Sequence, residues 1–186
     1  MPDPDAAFYF DLASPLAYLA AERVLQTLPI RAEWQPVLAG ELSGEESFDR
    51  AEIERAAREQ DLQPLKWPDP FPFDSALAMR VATYAKSIGR TVPFVQAAFR
   101  QAYAGGRSLE DPDFVVIAAA ACEMHPAAVL KGAELRSVKA QLSSTTARAA
   151  QEGVTGVPAV RIGAKVFVGT RAVEEATGHA TTVGTG

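Results

Sequence analysis

The chain reads as an α/β protein: one small mixed sheet with a large, all-helical block inserted in it. Three observations carry that reading. The N-terminal stretch up to Leu38 has a strand–helix–strand pattern. A hairpin pattern followed by a short helix closes the chain. What lies between is helical, with no linker, repeat or heptad run.

Phe8-Tyr9-Phe10-Asp11-Leu12 is short and aromatic, as a strand requires. Ser14 is a good N-cap, and Pro15 suits a first helical turn. Leu16, Leu19, Ala20, Val24, Leu25 and Leu28 then recur at helical spacing until Pro29. Ile30 to Leu38 alternates well enough for a second strand. Asp49 with Glu52 resembles a capping box for a charged helix ending near Asp61. Pro64, Pro68, Pro70 and Pro72 make the next segment a loop. Ser75 is expected to cap a helix running to Gly89, and another should run from Pro93 to Ala104, ended by Gly105-Gly106. Pro112 opens a helix with Val115, Val116 and Ile117, and His125 is expected to close it. Pro126–Lys131 and Ala133–Gln151 complete the block. Ala159–Ile162, a Gly163-Ala164-Lys165 loop and Val166–Val168 form the hairpin. Arg171–Thr177 is a last short helix, and Thr181–Gly186 is expected to be a frayed tail. The hairpin implies an antiparallel pair and the opening unit a parallel one. The boundaries that follow are 1–42 and 150–186 for the sheet domain and 43–149 for the insert.

Composition narrows the functions. In 186 residues, Lys+Arg 18 stand against Asp+Glu 23, a net charge of −5. No basic block is available for nucleic acid, so that partner is excluded. With one cysteine, Cys122, there is no internal disulfide and no Cys-x-x-Cys motif. Two histidines are too few for a recognisable His-built metal site, so no metal is expected. Met1–Asp5 lacks the basic start of a secretory signal, and Phe114–Cys122 is about half a membrane span. A cytoplasmic protein with no membrane partner is the expectation.

Three places could carry chemistry. At Ser14-Pro15 a cap alone explains the residues, but a helix N-terminus also favours anions, including thiolates. At Val157-Pro158 the peptide is open to either isomer: cis with its backbone presented to a ligand, or trans at the start of an edge strand. At Gly169-Thr170-Arg171 a strand runs into a helix, a common ligand position, although Thr170 also reads as an ordinary N-cap.

These places line up in one resemblance. Phe8-Tyr9-Phe10-Asp11-Leu12-Ala13-Ser14-Pro15-Leu16-Ala17-Tyr18-Leu19-Ala20 resembles the opening of 2-hydroxychromene-2-carboxylate isomerases and kappa-class glutathione transferases. Gly153-Val154-Thr155-Gly156-Val157-Pro158 is similar to their Gly-Val-x-Gly-Val-Pro loop, which carries a cis proline. Pro70-Phe71-Pro72, Asp74-Ser75 and Gly105-Gly106-Arg107 through Asp111-Pro112 match the family's helical insert in character. The resemblance implies a thioredoxin-like fold with a helical insertion, in the wider DsbA-like group.

It also implies a function. Ser14 matches the first cysteine position of the redox relatives and Ala17 the second, so disulfide exchange is not expected. Ser14 would instead stabilise the thiolate of glutathione or another small thiol in an isomerase or transferase reaction on a hydrophobic electrophile. Pro15, Val157, Pro158, Gly169, Thr170 and Arg171 would hold the thiol cofactor. Trp67, Phe71 and Phe73 would wall the substrate pocket. Family relatives pair as homodimers, which implies a homodimer here. In one departure, Thr170 stands where the family places an Asp for the glutathione amino group, and a neutral hydroxyl cannot pair with ammonium. The alternative is therefore a non-catalytic thioredoxin-like scaffold, with a DsbA-like oxidoreductase lacking its Cys-x-x-Cys as a third reading.

Overall fold

The computed structural model describes residues 5–183. Strand β1 (Ala6–Phe10) is buried along its whole length at the centre of the sheet. It pairs in parallel with β2 (Glu33–Pro36), setting Phe8 opposite Trp34, and antiparallel with β3 (Ala159–Ile162), setting Tyr9 opposite Ala159. The strand β4 (Lys165–Val168) pairs antiparallel with β3, giving the order β2-β1-β3-β4. The sheet is mixed, as the pattern implied.

Two strand limits differ from expectation. β2 is shorter than Ile30–Leu38 because its ladder on β1 runs only from Ala7 opposite Glu33 to Phe10 opposite Pro36. Lys165 belongs to β4, paired with Ile162, so the hairpin loop is Gly163-Ala164 alone. Gly163 at φ 57° supplies the left-handed turn that so short a connection needs.

Helix α1 (Pro15–Thr27) joins β1 to β2. A 3₁₀ turn at Ala39–Glu41 then leads into the helices α2 (Arg50–Glu59), α3 (Ala76–Ser87), α4 (Thr91–Tyr103), α5 (Pro112–Ala120), α6 (Pro126–Glu134) and α7 (Arg136–Gln151). Helix α8 (Ala172–Val183) follows β4. Side-chain caps explain several starts: Asp49 accepts from Ala51 N at 2.7 Å, and Asp111 from Asp113 N at 2.9 Å.

Other ends correct the expectation. His125 opens α6 rather than closing α5, its Nδ1 accepting from Ala127 N at 3.2 Å. Ser75 holds the N-cap position of α3 but makes no capping bond; Asp74 accepts from Ala76 N at 2.8 Å instead. Helix α4 starts at Thr91, because Pro93 falls in the first turn, whose N–H groups have no helical partner anyway. The α6–α7 break lies at Leu135, not at Gly132, and α8 runs through Gly178 to Val183 because buried Val173, Ala176 and Ala180 continue its apolar stripe. Of the expected tail, residues 181–183 are therefore helical; 184–186 lie outside the described residues.

Phe8 and Phe10 face the larger core and Ala7 and Tyr9 the smaller one, as strand alternation requires. On the larger side Phe10 meets Phe99 of α4 at 6.2 Å, and Tyr18 of α1 stacks on Tyr103 of α4 at 5.3 Å. Met79, Phe94 and Phe99 of the inserted helices are fully buried in that same cluster. The insert and the sheet thus share one apolar interior. Among the described residues no helix is long and apolar enough to cross a membrane.

Candidate functional site at the start of the first helix

The site begins where β1 ends. Asp11, 3% exposed, turns its carboxylate back on the chain: Oδ1 accepts from Ala13 N and Oδ2 from Ala39 N, both at 2.9 Å. This ties the β1–α1 turn to the 3₁₀ turn after β2. Burial raises the Asp11 pKa, against the opposing pull of those N–H donors.

Ser14 follows in extended conformation (φ −90°, ψ 115°) and caps α1, its Oγ accepting from Ala17 N at 3.0 Å. The hydroxyl proton is committed as well: Ser14 Oγ donates to Glu46 Oε1 at 2.5 Å. Leu16 N–H also donates to the Glu46 carboxylate. Glu46 as a residue is exposed, yet its carboxyl group is turned in against a hydroxyl that is 1% exposed. Burial pushes the Glu46 pKa up to about 7, and the Ser14 and Leu16 donors only partly offset it.

Two hollows meet at this carboxylate. One, of about 610 Å³, is lined by Ser14 and by Phe48, Phe71 and Phe73. The other, of about 930 Å³, is lined by Thr155, Gly156 and Val157 on one side and by Val168, Gly169 and Thr170 on another. Glu46 lines both. Its loop is pinned to the second hollow, since Gly44 N donates to Thr155 O at 2.6 Å, and a Cβ on Gly44 would stand 2.6 Å from that same oxygen. Only glycine permits so close an approach.

The Val157–Pro158 peptide is cis. The register of Tyr9 opposite Ala159 brings Pro158 to the end of the sheet where β1 runs into Ser14. Pro158 O accepts from Gly169 N at 2.9 Å, tying this loop to the start of the last helix.

Of the residues singled out from the sequence, Ser14, Phe71 and Phe73 come together on the first hollow, and Val157, Gly169 and Thr170 on the second. The others stand apart. Pro15 is buried in the first turn of α1, and Pro158 is buried behind Val157, neither lining a hollow. Arg171 is exposed and lines neither. Trp67 does not line the first hollow; it is stacked on Phe48 at 5.9 Å and donates Nε1 to Glu54 at 2.8 Å. A half-buried indole N–H needs such a polar partner.

Glu46 and Phe48 were missed. Glu41, Glu45 and Glu46 read locally as a solvated acidic loop, and the contact that matters joins residues 32 apart. Gly44 was the one local signal, a glycine where a backbone approaches closely. All charged residues lining the two hollows are acidic: Asp11, Glu41, Glu46 and Asp74 around the first, Glu45 and Glu46 around the second.

A mixed four-stranded sheet, a helix that starts directly after its central strand and a cis X-Pro peptide at the same sheet end define a thioredoxin-type fold of the DsbA-like kind. The chain belongs to the DSBA-like thioredoxin domain family, which matches residues 7–179. No curated protein sequence matches it. Among solved structures, a 2-hydroxychromene-2-carboxylate isomerase superposes with TM-score 0.83 at 18% identity over 97% of each chain. A probable DsbA oxidoreductase from Streptomyces coelicolor gives TM-score 0.76 at 19% identity, over 95% of this chain and 88% of the other. The cytosolic disulfide reductase DsbM from Pseudomonas aeruginosa, solved with GSH, gives 0.67 at 13% identity, over 96% and 98%.

Proposed function

We propose that the protein is a thiol-dependent isomerase or transferase of the 2-hydroxychromene-2-carboxylate isomerase type, with Ser14 stabilising a ligand thiolate. The observation that carries this is the place of Ser14: a hydroxyl at the start of α1, on the wall of an apolar hollow lined by Phe48, Phe71 and Phe73. Disulfide exchange has no thiolate to start from. Ser14 and Ala17 occupy the two relevant positions, and Cys122 is buried with its thiol pKa raised by that burial.

The thiol end of glutathione fits this site. The Ser14 hydroxyl and the positive end of the α1 dipole suit a sulfur anion. Val157, beside the cis peptide, can offer its backbone to a peptide ligand. The carboxylate ends of glutathione fit less well, because the lining is acidic and Thr170 is neutral. A bound thiol would supply reversible addition to a conjugated carbon, so that the double bond becomes a rotatable single bond before the thiol leaves. The phenyl rings of Phe71 and Phe73 would hold the flat electrophile and exclude water, while Ser14 Oγ–H holds the sulfur's charge. A homodimer, implied by the resemblance, and a cytoplasmic setting complete the reading.

The test is calorimetric titration of the protein and of Ser14→Ala with glutathione and with its diethyl ester, alongside thiol-dependent isomerisation of a chromene carboxylate. Binding with the ester tighter than the acid, and turnover lost at least tenfold in Ser14→Ala, is expected. No binding of either thiol, with no turnover, rejects the enzyme and leaves the second reading. That reading, a non-catalytic scaffold, is favoured by Thr170 and by the closed Ser14–Glu46 contact.

A further inference from the structure

We propose that Glu46 is the proton acceptor for the ligand's thiol, taking its proton as the sulfur moves onto Ser14 and giving it back when the sulfur leaves. The inference rests on the proposed thiol-dependent reading and names a residue that this reading did not contain.

The geometry follows from a shared partner. Glu46 Oε1 already lies 2.5 Å from Ser14 Oγ. A sulfur that accepts the Ser14 hydroxyl takes either the direction now held by Glu46 or the one left open, since Ala17 N fills only one of the three around Oγ. In either place the sulfur stands beside the Glu46 carboxylate, which the same hydroxyl now holds. Glu46 also stands on the wall common to both hollows, where a thiol held beside Val157 would meet an electrophile held beside Phe71. The loop that carries it is anchored on both sides, by Gly44 on Thr155 and by Asp49 at the start of α2.

The step balances without another reagent. The S–H bond breaks and its electron pair stays on sulfur; an O–H bond forms on Glu46. The Ser14 hydroxyl turns from the now neutral carboxyl group to the thiolate. On release the proton returns from Glu46 to sulfur.

The surroundings favour this exchange. Asp11, Glu41, Glu45 and Asp74 are the other charged groups that line the two hollows, and all are acidic. The Tyr103 phenol nearby is held neutral, its pKa raised well above 10 by burial. Among the described residues no lysine or arginine lines either hollow; the nearest cation placed against their walls is Arg50, over the Trp67 and Phe71 rings at 4.7 and 5.3 Å. A pKa near 7 makes Glu46 an acceptor above that pH, while a free thiol stays protonated to about 8.5. Near pH 8 the exchange is therefore internal, and binding releases no proton to solvent.

The experiment uses Glu46→Gln, which keeps the shape and an oxygen for Ser14 but cannot accept the proton. Glutathione and its diethyl ester are titrated at about pH 8 into both proteins. The ultraviolet thiolate band is followed, and heats are compared in two buffers of different ionisation enthalpy. The wild type is expected to show the thiolate band with no proton released. Glu46→Gln is expected either to lose the band or to release about one proton per thiolate formed. Three results overturn the proposal alone: a thiol bound by the wild type without a thiolate band, a proton released to buffer by the wild type, or the same band and proton count in both proteins. Absence of binding to the wild type overturns the thiol-dependent reading, and this proposal with it.

Discussion

An N-cap hydroxyl ordinarily has one task, to accept a backbone N–H. Ser14 has a second, because its own proton is held by Glu46. The electrostatic balance at position 14 can be read with a thiol built into the chain. In Ser14→Cys, made with Cys122→Ala to remove the native thiol, the helix start lowers the new thiol's pKa and the Glu46 carboxylate raises it. Adding Glu46→Gln is expected to lower that pKa further, by about a unit for a neighbouring like charge. The pH dependence of alkylation by iodoacetamide measures it; equal values in the two variants would mean that Glu46 exerts no field at position 14. At this scale the sequence was half legible. Ser14 and Pro15 declare a cap by type and order alone. Phe71 and Phe73 line the first hollow and Trp67 does not, and nothing local in the sequence shows that its N–H is bound to Glu54. Glu46 was hidden because its partner lies across a loop and the 3₁₀ turn.

Helices announced themselves where a side chain closes on nearby backbone, as at Asp49 and Asp111. They did not where the reason is a neighbouring helix. Gly132 looks like a helix end, yet it lies inside α6 because Tyr84 of α3 packs against it. A Cβ there would stand 2.6 Å from Tyr84 Cγ, the base of the ring, so the ring cannot swing aside by its tip alone. Gly178 in α8 is the opposite case, with nothing within 4 Å of an added Cβ. Gly132→Ala is therefore expected to lose about 1 kcal/mol or more, overpacking outweighing the gain in helix propensity. Gly178→Ala is expected to gain up to about 1 kcal/mol. Urea unfolding of both variants checks the pair, and a stabilised Gly132→Ala would show that the α3–α6 contact yields easily.

For the whole molecule, strand pairing was legible because a strand–helix–strand unit and a tight hairpin leave few ways to join. The larger core shared by sheet and insert was not, since contacts such as Phe10 with Phe99 depend on how distant helices fold back. Stability also depends on pH, because the site at the start of α1 takes carboxyl groups out of water. Burial holds the pKa of Glu46 at about 7 and raises that of Asp11, against an unfolded value of about 4 for either type. A raised carboxyl pKa means that the folded chain binds more protons than the unfolded one between the two values. Its contribution is thus fully present below the unfolded pKa and is lost as pH rises through the folded one. For Glu46 the window runs from about pH 4.5 to about 7. Glu134 works in the other sense, since Lys139 lowers its pKa; its contribution is lost only as pH falls below the ordinary carboxylate range. The wild type is therefore expected to lose stability relative to Glu46→Gln as pH rises from 5 to 7.5, and the difference between the two should level off above that. Urea midpoints across this range measure it. Subtracting the variant removes every other titrating group common to both proteins, so a difference that stays flat from pH 5 to 7.5 would mean that the Glu46 carboxyl group is as well solvated in the folded chain as in the unfolded one.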